Sequence, residues 1–141
     1  MGYTHYFELQ KAEKKIPEKA LKIIEPILEE AYKTGLIQQE YDKPEPPICT
    51  EKEIAFNGVG ENGHETFYFR PNFTDFNFCK TARKPYDIVV MKVLLVLKCF
   101  FDIDLGTDGN FEDEWQDVRN YMEEKYNITS YVKQDLDCTI N

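Results

Sequence analysis

The length, composition and charge of the chain exclude several classes of protein. With 141 residues, 42% of them hydrophobic, the chain can bury a core without the help of disulfides or a metal, and we expect a single domain over residues 1–141. The net charge of −9 argues against long nucleic acids and anionic membranes as partners, because both require a basic surface.

The four cysteines are far apart and form no CxxC pair and no Cys/His cluster with the spacing of a metal site. The first residues show no signal-peptide pattern, so we expect reduced thiols and a cytoplasmic protein. The most apolar run, 88–101, contains two lysines and is shorter than the roughly 20 residues that a membrane span needs. We expect no cofactor, no metal and no membrane partner.

The first part of the chain predicts a strand, a helix and a loop. Aromatic and β-branched residues predict a strand at 3–9. Apolar residues recur at helical spacing from Pro17 to Gly35, which predicts an amphipathic helix. Pro26 lies inside this pattern, so we expect the helix to bend there or to divide in two. The proline-rich stretch 41–50 has no periodicity and predicts an extended, mobile loop.

Three consecutive strands are predicted in the middle of the chain, as an antiparallel meander. Strands at 53–59 and 65–70 surround a glycine-rich turn and predict a hairpin. The third strand is expected at 73–80, with a bulge near Thr74–Asp75 because its aromatic residues alternate only in part. The glycines of the turn match GxGxxG, but a strand follows them instead of a helix, so a hairpin loop explains them better than a dinucleotide site.

The last part of the chain predicts two helices and two strands. The expected elements are an apolar helix from Ala82 or Pro85 to Cys99, a strand at 101–105, a helix at 111–126 capped by Asn110, and a strand at 128–132 followed by a frayed tail. Together with the earlier elements they predict an α+β fold: a mostly antiparallel twisted sheet with about three helices packed chiefly on one face. We expect a pocket on the other face, or at its rim where Lys80 ends the third strand.

The densest cationic cluster of this acidic chain lies where the third strand meets the apolar helix. Lys80, Arg83 and Lys84 precede the helix, whose first N–H groups lack intrahelical partners, and this combination favours the binding of an anion such as phosphate. Thr81 adds a hydroxyl group to the cluster. Tyr86 adds a ring for stacking or a further O–H donor.

A structural role explains the same residues equally well. In this alternative Thr81 caps the helix, Pro85 begins it, and the cations balance Asp75 or Asp87 at the surface. Since cations are unfavourable at a helix N-terminus unless an anion is present, the macrodipole favours the anion site.

His5 is the better of the two histidines as a functional candidate. It lies between Tyr3 and Tyr6 and could act as a general acid/base, or stack on a base and bond a phosphate. The alternative is a strand histidine satisfied by one hydrogen bond. No serine or cysteine shows a partner pattern for nucleophilic catalysis.

Two stretches carry a resemblance: Met1–Tyr6 (MGYTHY) and Phe78–Asp87 (FCKTARKPYD). Together with 56–58 and 65–67, in the same order, they resemble a family of small phage and prophage proteins that begin Gly-Tyr-Thr-His-Tyr. Where that family carries tryptophan-type variants after the second tyrosine, this chain has Phe7, which is also aromatic. The resemblance implies a phage setting and the cytoplasm of a bacterial host, and it marks residues without supplying a mechanism.

We therefore expect a phage-type anti-defence protein that binds and sequesters a phosphate-containing nucleotide signal without cleaving it. The candidate ligand-binding residues are Lys80, Thr81, Arg83, Lys84, Tyr86, Tyr3, His5 and Tyr6. One alternative is a hydrolase of the same signals with His5 as acid/base. Another is a protein–protein inhibitor of a host defence factor that uses the acidic surface. The expected partner is a small nucleotide-like anion, and a homo-oligomer is compatible with the sequence.

Overall fold

Strand and helix patterns along the chain produce an α+β fold in the computed structural model, which describes residues 2–141. The elements are β1 (Thr4–Leu9), α1 (Glu18–Lys33), β2 (Ile37–Gln38), β3 (Ile48–Cys49), β4 (Ile54–Gly58), β5 (Phe67–Phe69), β6 (Phe78–Lys80), α2 (Asp87–Phe100), β7 (Ile103–Thr107), α3 (Gln116–Tyr126), β8 (Ile128–Val132) and β9 (Leu136–Ile140). All their strand pairs are antiparallel, so the predicted fold class is confirmed.

The strands are distributed over three sheets. β1 is the central strand of the order β6-β1-β7, β4 pairs with β2, β3 and β5, and β8 pairs with β9. The first two sheets meet at Glu65, whose N–H donates to the carbonyl of Lys80 over 3.1 Å. Because β1 pairs with both β6 and β7, it carries the candidate site.

Helix α1 runs through Pro26 without dividing. The proline removes the N–H that would bond the carbonyl of Lys22, but Pro26 is exposed, so water can satisfy that carbonyl. The opposite face of the helix is buried through Ala20, Ile24 and Leu28. The alternative of two separate helices is wrong.

Helix α2 is the central element of the core, because apolar residues surround it nearly completely. Its buried residues are Val89, Val90, Met91, Val93, Leu94, Leu95, Val96 and Leu97. They belong to one hydrophobic cluster with side chains from β1, α1, β4, β5, β7 and α3. The bond between His5 of β1 and Asp87 at the first position of the helix places the N-terminus of α2 beside the motif residues.

The chain before α2 makes a tight turn that delays the helix. Ala82 and Arg83 both have positive φ, 53° and 58°, and Lys84 N–H closes the turn on the carbonyl of Thr81 over 3.0 Å. The N–H groups of Thr81 and Ala82 both donate to the carbonyl of Tyr3, over 3.0 and 3.2 Å. The helix therefore begins at Asp87 and not at Ala82 or Pro85.

Several predicted elements need correction. The third strand of the meander is limited to β6, which pairs with β1 and not with β5, because the chain turns between Arg70 and Asn77. Residues 74–75 lie in this turn and not in a strand, so the expected bulge does not form there. The loop at 41–50 contains β3, which pairs with β4.

The C-terminal part also differs from the prediction. Asn110 accepts a hydrogen bond from Glu112 N–H over 2.7 Å and caps a turn, while α3 itself begins at Gln116. The tail is not frayed, because β9 pairs with all of β8 and buries Leu136 and Cys138.

Candidate functional site

The two faces of β1 divide the predicted site residues into two groups. His5 and Phe7 point into the core, whereas Tyr6 lies on the outer face, because side chains alternate along a strand. The register pairs Tyr6 with Phe78 and Thr4 with Lys80, so Phe78 and Lys80 share the outer face with Tyr6. Tyr3, His5 and Thr81 lie on the inner side.

The inner group centres on His5, which is fully buried. Its Nδ1 lies 2.9 Å from Thr107 Oγ1, and its Nε2 lies 2.6 Å from Asp87 Oδ1. The hydroxyl of Thr81 donates to the same Asp87 oxygen over 2.5 Å. We call His5, Thr81, Asp87 and Thr107 the inner network.

The donors around Thr107 determine the direction of these bonds. Thr107 Oγ1 accepts from the N–H of Gly109 over 3.1 Å and from Nε1–H of Trp115 over 3.3 Å, which fills both of its lone pairs. Its O–H therefore donates to His5 Nδ1, and Nε2–H of His5 donates to Asp87. No buried side-chain polar atom in residues 2–141 lacks a partner, so the network is complete without a ligand.

His5 is therefore a structural residue, which corrects its predicted roles in stacking and acid/base chemistry. Its ring contacts Tyr3 and Trp115 edge-on, with 5.1 Å between centroids in each pair. With both nitrogens bonded and the ring enclosed, no ligand can reach it.

Tyr3 and Arg83 cover the inner network from outside. The guanidinium carbon of Arg83 lies 3.9 Å from the centroid of the Tyr3 ring, and Arg83 Nη2 donates to Glu114 Oε2 over 3.3 Å. Burial is the main cause that raises the pKa of Tyr3. Tyr3 is thus a buried support for Arg83, which corrects its predicted part in base stacking, and Arg83 pairs with Glu114 instead of Asp75 or Asp87.

Tyr86 and Thr81 belong to the interior as well. Tyr86 is fully buried, and its hydroxyl donates to the carbonyl of Glu65 over 2.5 Å, so its ring cannot stack on a ligand. Burial raises its pKa strongly. Thr81 makes no side-chain cap, since the residue before α2 is Tyr86 and no side chain caps that end.

The N-terminus of α2 already has an anion of its own. Asp87 lies in the first turn of the helix, where a carboxylate interacts favourably with the macrodipole. Its Oδ1 also receives the bonds from His5 and Thr81. The predicted phosphate position at this helix end is therefore occupied by a side chain of the protein itself.

The outer face of β1 and β6 carries an exposed aromatic group. Phe76 lies between Tyr6 and Phe78, with 5.8 Å between ring centroids in both pairs and interplanar angles of 32° and 34°. Phe76 and Phe78 are 56% and 43% exposed. Lys80 follows on the same face, and no carboxylate within residues 2–141 lies within 4 Å of its ammonium group. We call Tyr6, Phe76, Phe78 and Lys80 the outer platform.

Local contacts hold the Tyr6 ring in place. Its hydroxyl donates to Asp108 Oδ1 over 2.8 Å, and this bond is the main cause that raises the pKa of Tyr6. The partner of Tyr6 on β7 is Gly106, which has no side chain to cover the ring. Sequence reasoning missed Phe76 and Phe78 as site residues, although their incomplete alternation was a sign that they are not ordinary strand residues.

A cavity lies on the neighbouring sheet and not beside the basic motif. It has a volume of about 410 Å³ and is bordered by Ile48, Tyr68 and Phe73, with charged residues at its rim. None of these residues was predicted. Their signal in the sequence is weak, because they are spread over three separate segments.

Comparison with protein-family models, curated proteins and solved structures finds no match. Among residues 2–141 no group of His, Cys, Asp and Glu side chains is arranged to hold a metal ion. No helix in the same range is long and apolar enough to cross a membrane. The case for function therefore rests on the outer platform and the cavity.

Proposed function

We propose that the protein binds and sequesters a phosphate-containing nucleotide signal on the outer platform, as a phage-type anti-defence protein in the cytoplasm of a bacterial host. The observation that carries this proposal is the row of half-buried Tyr6 and exposed Phe76 and Phe78, which ends at Lys80. The Lys80 backbone N–H bonds the Glu65 carboxylate over 2.8 Å, whereas its ammonium group forms no ion pair within residues 2–141. Aromatic rings stack on any nucleobase, and each stacked base is worth about 1–3 kcal/mol.

The cations of the motif can supply the phosphate contacts. Neither Lys80 nor Lys84 forms an ion pair with a residue in the range 2–141. Arg83 is exposed and its pair with Glu114 is weak in water, so an arriving phosphate could replace the carboxylate. The net charge of −9 limits such binding to a small anion that is captured locally.

The position of His5 favours capture over cleavage. The hydrolase alternative depended on His5 as general acid/base, and this residue is enclosed in the inner network. A general base must lie within hydrogen-bond reach of the group on which it acts. The platform offers stacking and charge without such a group.

An inhibitor of a host protein is the second candidate, and the platform is also the observation that favours it. Exposed aromatic residues are enriched in the centres of protein interfaces. Phe73, Phe76 and Phe78 are all at least 41% exposed and lie in one short segment. The two candidates differ in whether a free nucleotide binds the pure protein.

The proposal can be tested by calorimetric titration of the pure protein with cyclic AMP, cyclic di-AMP, cyclic di-GMP and ADP-ribose. We expect one of them to bind, and Phe78→Ala and Lys80→Ala each to weaken its affinity about tenfold. Tyr131→Ala and Lys11→Ala are matched controls, because both side chains are exposed and lie outside the platform.

The ligand should be recovered intact by chromatography after the protein is denatured. A hydrolysed product would support the enzyme alternative instead. Absence of binding to all four compounds, or equal affinity in Phe78→Ala and Tyr131→Ala, would contradict the proposal.

A further inference from the structure

The cavity on the neighbouring sheet, here named the Tyr68 cavity, has the size of a small-molecule site. Its volume of about 410 Å³ falls within the roughly 300–1,000 Å³ of ligand pockets. Ile48 from β3 and Tyr68 from β5 border it, and both pair in register with Ala55 of β4. Phe73, from the turn after β5, forms a further wall.

The charges at the rim of the Tyr68 cavity balance one another. Lys43 Nζ lies 3.1 Å from Glu40 Oε2, and Arg70 Nη2 lies 2.9 Å from Glu53 Oε1. Two cations thus face two carboxylates. The rim therefore carries no net charge, so it has no electrostatic preference for an anion or a cation, and an uncharged ligand suits it.

Hydrogen-bonding groups of both kinds remain available at this rim. Nε and Nη2 of Arg70 both donate to Oε1 of Glu53, over 3.1 and 2.9 Å. Within residues 2–141, Nη1 of Arg70 and Oε2 of Glu53 have no hydrogen-bond partner. Nη1 can thus donate to a ligand and Oε2 can accept from one, and these are the two kinds of group that the edge of a nucleobase pairs with.

The aromatic walls of the cavity are held in place before a ligand arrives. The Tyr68 hydroxyl donates to Glu40, and this bond raises the pKa of Tyr68 to about 12, so the group stays protonated. Phe73 N–H donates to the carbonyl of Arg70 over 3.2 Å, and Asn77 Nδ2 donates to the carbonyl of Tyr68 over 3.1 Å. The two ring walls are 40% and 41% exposed, which leaves area for stacking.

We propose that the Tyr68 cavity is a second binding site, for an uncharged planar heterocycle of the nucleobase or nucleoside type. The ring stacks on Tyr68 and Phe73, and its polar edge bonds Arg70 Nη1 and Glu53 Oε2. This inference does not depend on the proposed function, because the cavity and the outer platform share no side chain.

The test uses the full chain with adenosine, guanosine, cytidine and uridine, followed by proton NMR of the tyrosine and phenylalanine rings and by calorimetry. We expect at least one nucleoside to shift the signals of Tyr68 and Phe73. Phe73→Ala should weaken that nucleoside at least fivefold, because it removes one stacking wall. Tyr131→Ala, an aromatic substitution of nearly equal exposure outside the cavity and the outer platform, should leave the affinity unchanged.

A second variant tests the polar edge. Glu53→Gln removes the charge but keeps the size of the side chain, and we expect it to weaken the nucleoside while unfolding stays two-state in urea. The inference is overturned if none of the four nucleosides binds, or if Phe73→Ala and Tyr131→Ala bind the nucleoside with equal affinity. It is also overturned if inorganic phosphate competes with the nucleoside, because an anion would then be the preferred occupant. If the proposed function alone is wrong, Phe78→Ala and Lys80→Ala will leave the nucleotide affinity unchanged, while Phe73→Ala still weakens the nucleoside.

Discussion

The two faces of β1 present the same sequence motif to opposite environments. On the inner face His5 is fully buried and both of its ring nitrogens are bonded. On the outer face Tyr6 contacts Phe76 and lies beside Phe78, and both phenylalanines are exposed. Because side chains alternate along a strand, neighbouring residues such as His5 and Tyr6 lie in different environments. A dense motif can thus place one half of its residues in the core and the other half at the surface.

The largest effect is expected from breaking the inner face. His5→Ala removes a donor from the buried side of Asp87 and an acceptor from Thr107, and it leaves space beside Trp115. We expect the free energy of unfolding to fall by about 3 kcal/mol, as for other losses of a buried polar partner combined with a cavity. Urea denaturation followed by tryptophan fluorescence measures this value.

The matched control for this variant is Tyr6→Ala on the outer face. It removes a larger side chain but leaves no buried group without a partner, so we expect a loss below about 1 kcal/mol. If both variants lose the same stability, the distinction between the two faces is wrong.

A pH dependence is expected from Cys79, which lies between two outer-face residues and points inward. Burial raises the pKa of this thiol from 9.0 to about 12. In the unfolded chain the thiol ionises above about pH 9, whereas in the folded protein it stays protonated, so its contribution is complete below that pH and is lost as the pH rises to about 12. Between these values stability should fall by roughly 1.4 kcal/mol per pH unit from this group.

Cys79→Ala isolates this contribution, because the bond from Tyr86 to Glu65 remains. Comparison of wild type and variant in urea at about pH 8 and pH 10.5 should show a smaller alkaline loss in the variant. Equal losses would mean that the thiol is accessible in the folded protein.

A gain in stability is expected at the turn that joins β6 to α2. Ala82 adopts a left-handed conformation, which costs a residue with a side chain about 1 kcal/mol, and glycine avoids this cost. Ala82→Gly should therefore stabilise the protein by up to about 1 kcal/mol. The melting temperature and the urea midpoint should both rise.

Arg83→Gly is a useful comparison with this variant. It relieves the same conformation but also removes the contact with Tyr3 and the pair with Glu114. We expect a smaller gain than for Ala82→Gly. A loss of stability in Ala82→Gly would contradict the strain argument.

The smallest effect on stability is expected from the outer platform. Phe78→Ala removes a ring that is 43% exposed, so the free energy of unfolding should change by less than about 1 kcal/mol. The same variant is the one expected to lose nucleotide affinity. A small change in stability together with a large change in binding would separate the two faces most clearly.

The sequence was sufficient for features that depend on periodicity. It predicted α+β folding, β1, α1 and the apolar helix α2, because each has many regularly spaced residues. It also pointed to His5 as a functional candidate, whereas the structure places this residue in the core. Its burial was not predictable, since it depends on Asp87 and Thr107, which are 82 and 102 residues away.

Other features could not be predicted from the sequence, because they depend on contacts between short segments. The strands β2 and β3 have only two residues each and are stabilised by pairing with β4. Helix α2 begins later than predicted because Ala82 and Arg83 adopt positive φ, which is uncommon for residues other than glycine. The row of Tyr6, Phe76 and Phe78 required knowing that the chain turns before β6.

The carbonyl of Tyr3 connects the strained turn to the register of β1. It accepts N–H groups from both Thr81 and Ala82, and so fixes β1 against β6 at one end. At the other end the N–H of Phe7 donates to the carbonyl of Asn77 over 2.8 Å. Sliding β1 by one residue would place Tyr6 in the position of His5 and turn the strand inside out. The left-handed turn thus acts as a register lock, and insertions between residues 3 and 7 should be far less tolerated than insertions in the loop before α1.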